Sequence, residues 1–233
     1  MRNIIAILFF TIITSLSFGQ TKTDSVFISN VKFKDAKFNN SHAGSGFLLE
    51  YKNKIYAVTA KHVLFFAKTD SMKTISFNGQ LKSWSFTTKI NPNTAIKLGK
   101  LINENPAEKI EMPPKGDWLI FKAKDILSKK AAIYSLREAP LKLNETVTFL
   151  GYPHKSLKPI RIQGKFIGNT KDGNLRLDVP KGVYNGCSGG PVIDSLGKVV
   201  GIVSMGYFNK KTATMVFEPA ATNYFKKTIK ISN

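Results

Sequence analysis

The sequence predicts an all-β protein made of two β-rich halves and closed by a short helix. Short stretches rich in β-branched and aromatic residues recur between turn signals, the pattern of a sandwich or barrel. Several of the intervening turns carry hairpin chemistry. Residues 91–115, with Pro92, Pro106, Pro113 and Pro114, read as a long irregular connection between the halves.

The chain opens with one basic residue and an apolar run that begins at Ile4, followed by the small residues Ser17 and Gly19. The run is shorter than the roughly 20 apolar residues that span a bilayer, so residues 1–19 are predicted to be a secretory signal peptide. Cleavage would leave Gln20 first, with no transmembrane segment and a secreted or periplasmic destination. The rest of the chain is long enough for one large all-β domain, expected over residues 20–233.

Next comes the hairpin "FLLEYKNKIYAVTA", predicted to turn near Lys52, Asn53 and Lys54 and leading to His62. "SMKTISFNGQLKSWSF" places Asn78 and Gly79 between two strand-like runs, the dipeptide that best tolerates the positive φ angles of a two-residue turn. "GKFIGNTKDGNLRLDV" repeats the device at Asp172, Gly173 and Asn174. In its second arm Leu175, Leu177 and Val179 alternate with Arg176 and Asp178, which predicts a half-buried strand. "PVIDSLGKVVGIVSMG" turns at residues 194–197. Near the end Tyr224, Phe225 and Ile229 recur at helical spacing, with lysines on the other face.

Thirty-five lysines and arginines oppose 15 acidic residues, a formal charge of +20 that attracts polyanions whatever the fold. No stacking motif or helix-turn-helix pattern accompanies it, so specific nucleic-acid recognition is not expected, while an anionic surface remains a possible partner. One cysteine, Cys187, allows no intramolecular disulfide, so burial must hold the core together.

A serine hydroxyl needs a base to take its proton, a group to orient that base and donors for the oxyanion that forms. "VTAKHVL" puts His62 at the end of an apolar strand, and "PKGDWLIFKA" puts Asp117 just before one. "NGCSGGPV" puts Gly186 two residues before Ser188, so the backbone N–H groups of both can converge on one oxygen, while Gly189 and Gly190 are expected to leave room for substrate. His42 and His154 are alternative bases by residue type, but neither follows Thr-Ala. Asp70, Asp125, Asp172 and Asp178 also lie between His62 and Ser188, but none immediately precedes an unbroken apolar strand.

These residues resemble the trypsin-like, chymotrypsin-fold serine peptidases, particularly the bacterial branch. The family pattern is T-A-x-H, then D before an apolar strand, then G-x-S-G-G-P. Thr59 to His62, Asp117 and Gly186 to Pro191 match it in identity and order. The resemblance implies two antiparallel Greek-key β-barrels packed face to face with a short C-terminal helix: a first barrel over about residues 25–120, a second over about 130–218 and a helix over about 219–230. It implies a cofactor-free endopeptidase acting on peptide or protein substrates, with His62 as base, Asp117 as its orienter and Ser188 as nucleophile. Gly186 and Ser188 would form the oxyanion hole, Gly182 and Val183 the floor of the specificity pocket, and Ser204, Met205 and Gly206 one wall. In this frame Cys187 is the variable residue before the nucleophile. Cys187 also replaces the usual aspartate or asparagine, and Leu119 stands where the family often has alanine.

Overall fold

The computed structural model describes residues 26–65, 72–90, 95–112, 114, 116–123 and 131–231, and the expected signal peptide lies outside them. Six strands, β1 (Phe27–Phe33), β2 (Ser45–Tyr51), β3 (Lys54–Thr59), β4 (Leu81–Thr87), β5 (Ile96–Leu101) and β6 (Leu119–Ala123), form the first barrel. Six more, β8 (Thr146–Gly151), β9 (Ile160–Asn169), β10 (Leu175–Val179), β11 (Pro191–Ile193), β12 (Val199–Asn209) and β13 (Thr214–Ala221), form the second. Around both barrels the strands run first, second, third, sixth, fifth, fourth, and back to the first. The topology thus repeats although the sequence does not. A short strand between them, β7 (Ile133–Ser135), lies parallel to β2 and continues into a bridge from Leu136 to Val199 of the second barrel.

Local chemistry explains three of the turns. Lys52 and Asn53 sit at φ of 50° and 60°, the left-handed pair of a two-residue hairpin, and the ladder closes on them at Tyr51 and Lys54. Thr170 clamps the β9–β10 turn through its hydroxyl, which accepts from the Asn174 N–H at 3.0 Å. Asp194 caps the β11–β12 turn by accepting from the N–H groups of Leu196 and Lys198. β10 buries Leu175, Leu177 and Val179 and half-exposes Arg176 and Asp178, as its alternation requires.

Two expectations are corrected. Asn78 and Gly79 adopt positive φ, but within a 3-10 turn (Phe77–Gly79) that only leads into β4, whose partners are β1 and β5. The segment before the turn contributes a single bridge, Thr74 to Lys109. Residues 91–115 do not separate the barrels either. They contain β5, and the first barrel closes only at β6. The prolines flank β5 rather than interrupt it, so they do not block its pairing.

The core of the first barrel runs on through Leu136, Leu150, Tyr152, Ile193, Val199 and Ile202, so one apolar body spans the junction. The C-terminal helix α1 (Asn223–Ile231) begins later than expected, because residues 219–221 finish β13. It returns from the second barrel to the first, where the buried Phe225 ring meets Tyr51, Tyr56 and Trp118 at centroid distances of 5.7, 5.5 and 5.4 Å. Among the described residues no helix is long and apolar enough to cross a membrane. Truncating a fully buried aromatic ring leaves a cavity, so Phe225→Ala should lower the free energy of unfolding by about 3–5 kcal/mol, read from the urea midpoint.

Candidate active site

Strand register brings His62 and Asp117 together across 55 residues of sequence. Thr59 of β3 pairs with Leu119 of β6, so the residues just past one strand meet those just before the other. His62 opens a 3-10 turn (His62–Leu64) there. Its backbone N–H donates to Asp117 Oδ1 at 2.9 Å, and its Nδ1 donates to Oδ2 at 2.6 Å. The Ser204 hydroxyl also donates to Oδ2. Asp117 is fully buried, a position that a carboxylate tolerates only when its lone pairs are met, as they are here. Since Nδ1 holds the proton, Nε2 carries the lone pair.

Ser188 belongs to the loop between β10 and β11, and the first barrel holds that loop. The Ser45 N–H donates to the Ser188 carbonyl at 2.7 Å, and the Ser45 hydroxyl donates to the Gly186 carbonyl at 2.8 Å. The same hydroxyl accepts from the Tyr152 N–H at 2.8 Å, and the Ser45 carbonyl accepts from the Thr59 hydroxyl at 2.6 Å. The space at Gly189 and Gly190 is occupied by protein rather than left for substrate. A Cβ on Gly189 would lie 2.4 Å from the Ser45 carbonyl oxygen, and one on Gly190 would lie 1.9 Å from that of Leu150. The glycines let the two barrels close on the loop.

Within this loop the N–H groups of Cys187, Gly189 and Gly190 donate to the carbonyls of Tyr184, Val203 and Cys187. Among the described residues, those of Gly186 and Ser188 meet no protein acceptor. Gly186 sits at φ of 100°, a conformation that glycine adopts without the strain a side chain would bring. Cys187 points the other way, into the second barrel's core, where burial pushes its thiol up to about 12. A thiol held protonated is a poor nucleophile. His62, Ser188 and Gly186 line one cleft of about 520 Å³ together with Ser204, Met205 and Gly206.

The sequence model of the trypsin-like peptidase domain matches residues 44–202, the span that contains Ser45, His62, Asp117, Gly186 and Ser188. The chain belongs to the trypsin-like peptidases. Among solved structures it is similar to the serine endoprotease of Yersinia pestis, at 16% identity and a TM-score of 0.59 over 89% of this chain. It spans 62% of that protein's length. It is also similar to the active form of the Rv3671c protease of M. tuberculosis, at 17% identity and a TM-score of 0.58 over 90% of this chain and 82% of the other. At such identities the likeness is one of fold. No curated protein sequence matches.

One pocket expectation drawn from the trypsin-like frame needs correction. Gly182 and Val183 do not line the cleft, and Val183 is 80% exposed. The Tyr184 ring explains this. It turns into the second barrel against Phe149 and Phe217, with its hydroxyl donating to the Pro180 carbonyl at 2.8 Å, and the residues before it are carried outward. Ser204 lies at the wall but directs its hydroxyl at Asp117. Sequence reasoning missed Ser45 and Asn103, whose side chain bonds both the Trp118 carbonyl and the Ile120 N–H at the start of β6. Among the described residues no group of three or more His, Cys, Asp or Glu side chains could hold a metal ion.

Ser45→Ala removes the hydroxyl and leaves two buried backbone groups unpaired, so it should cost about 1–3 kcal/mol of stability and lower kcat more than Ser45→Thr does. Denaturant titration and peptide turnover measure both effects. A pH effect arises from His42, also in the cleft, whose imidazole falls from 6.5 to about 4 through burial and then the charges of His154 and Lys89. The unfolded chain therefore binds a proton first, and stability should decline as pH falls from about 6.5 towards 4. Urea midpoints across this window should fall less steeply for His42→Gln than for the wild type.

Proposed function

We propose that this chain is an exported serine endopeptidase that cleaves peptide bonds through His62, Asp117, Ser188 and an acyl-enzyme. The observation that carries the reading is the pair of uncommitted N–H groups, on Gly186 and Ser188, in the same cleft as the buried His62–Asp117 pair. The Nε2 lone pair of His62 accepts the Ser188 hydroxyl proton as Oγ attacks the substrate carbonyl. The oxyanion that forms takes hydrogen bonds from the two N–H groups. Asp117 stays ionised and stabilises the imidazolium, which gives its proton to the leaving amine. Water then repeats the sequence on the acyl-enzyme and regenerates Ser188. The apolar leader sequence supports export.

The peptide has a backbone edge to lie on. β11 pairs with β12 only as far as Ile202, whereas β13 continues along Met205 and Gly206, so one edge of β12 faces the cleft. An extended acyl half fits there as an added strand. Met205, Met112 and Val63 line the cleft, and no carboxylate does among the described residues, so a medium-sized apolar side chain is favoured before the cut bond over lysine or arginine. An acidic residue there would need a cation such as Lys181, whose ammonium lies over the Phe208 ring instead, 5.1 Å from its centroid. Activation by pairing a freshly cut N-terminus with a carboxylate just before the nucleophile has no partner at Cys187, so activity should not depend on one exact new N-terminus.

The basic surface also supports a second reading, a silent trypsin-like module that binds polyanions. Turnover of a mixed peptide library separates the two. Ser188→Ala or His62→Ala should lower kcat by about 10⁴-fold or more, and Asp117→Asn by about 10⁴-fold, with the fold intact, whereas Cys187→Ala should retain most activity. Turnover surviving in Ser188→Ala would refute the assignment, and a folded wild type that cuts nothing would favour the binding module.

A further inference from the structure

The far end of the cleft, past Gly186, carries side chains that the chemistry of the triad does not use. His42 and His154 both line it, their rings meeting edge to face with centroids 4.4 Å apart. His154 is registered against the loop that holds Gly186, and His42 against the segment that follows β8. His42 Nε2 donates to the Tyr152 carbonyl at 2.9 Å, and the His154 N–H donates to the Asn185 carbonyl at 2.9 Å. Lys89, just after β4, reaches across from the first barrel and donates to the carbonyls of His154 and Ser156, each at 2.6 Å.

This end of the cleft is electrically positive. No carboxylate lines it among the described residues. Burial and then the Lys89 charge hold the His154 imidazole below its ordinary value, which marks the same field. A purely structural latch would need only the Lys89 ammonium and the two carbonyls. Here the latched segment also presents an imidazole to the cleft.

The strand edge sets the direction of the peptide. A peptide whose acyl half pairs along Ser204, Met205 and Gly206 passes its cut bond at Ser188, and the part that leaves with the amine then runs past Gly186 towards His154. Resting on the peptidase reading, we infer that the leaving-group side of the cleft selects an acidic side chain, glutamate or aspartate, within the first two residues after the cut bond. His154 donates to the carboxylate, His42 fixes the His154 ring, and Lys89 supplies the charge.

The test uses internally quenched peptides with an apolar residue before the cut bond and either glutamate or glutamine at the first or the second position after it. One charge-assisted hydrogen bond in a partly buried cleft should favour glutamate by about tenfold in kcat/KM at one of the two positions, and less as salt is added. In His154→Ala and in Lys89→Met the ratio should fall towards one, and because each ratio is taken on a single protein, a general loss of activity cancels. A wild-type ratio near one at both positions, or a ratio kept in both variants, overturns the inference. Fluorescence anisotropy of the same peptides, labelled, on Ser188→Ala protein gives a reading that needs no turnover. Glutamate selectivity in binding without any wild-type cleavage would support this inference and refute the peptidase reading alone, whereas equal binding would overturn this inference alone.

Discussion

Ser45 joins the two barrels where the chemistry would occur. Its N–H, hydroxyl and carbonyl together bind the Ser188 carbonyl, the Gly186 carbonyl, the Tyr152 N–H and the Thr59 hydroxyl, all in buried surroundings. These bonds fix the carbonyls of residues 186 and 188, while the peptide units that carry the Gly186 and Ser188 N–H groups are held through their own carbonyls: that of Asn185 accepts from the His154 N–H and that of Cys187 from the Gly190 N–H, each at 2.9 Å. The two N–H groups themselves meet no protein acceptor among the described residues. In a low-dielectric seam such bonds are stronger than in water, and an unmet partner is correspondingly costly. The glycines answer to a related constraint, since a side chain at 189 would push the first barrel away from the loop and one at 190 would strike the Leu150 carbonyl of the second.

A second constraint is the buried Asp117 carboxylate. In a chain of formal charge +20, most cations are lysines on the surface, but Asp117 is met instead by neutral donors: the His62 N–H, the His62 ring and the Ser204 hydroxyl. These donors come from both barrels, so the carboxylate is fully satisfied only when the barrels are docked. The end of β13 and helix α1 reinforce the docking from outside: the Trp118 indole, next to Asp117, donates to the Ala221 carbonyl at 3.0 Å, and Phe225 covers the same ring.

Elements specified by local chemistry were legible in the sequence. The turns at Lys52 and Asn53, at Asp172 to Asn174 and at residues 194–197 need only particular φ angles and side-chain caps, and these the residues themselves provide. Asn78 and Gly79 satisfy the same local rule, yet make no hairpin, because the choice of β1 and β5 as partners for β4 is made by distant strands. β5 was hidden for a related reason: it pairs with β4 at only two positions and is bulged against β6. At the site, His62, Asp117 and Ser188 could be picked out because each stands in a distinctive local setting. Ser45 and the role of Ser204 could not, since a serine among many acquires its partners only from the docking of the barrels. The misplacement of Gly182 and Val183 has the same origin, because the inward turn of Tyr184 depends on the rings of Phe149 and Phe217.

The central claim is that Ser188, and not the adjacent Cys187, is the activated nucleophile of this site. The most direct measurement is to treat the folded protein with an active-site-directed fluorophosphonate and locate the adduct by tandem mass spectrometry. The account predicts a single stoichiometric adduct on Ser188 that disappears in His62→Ala. An adduct on Cys187, or none on folded protein, would contradict it.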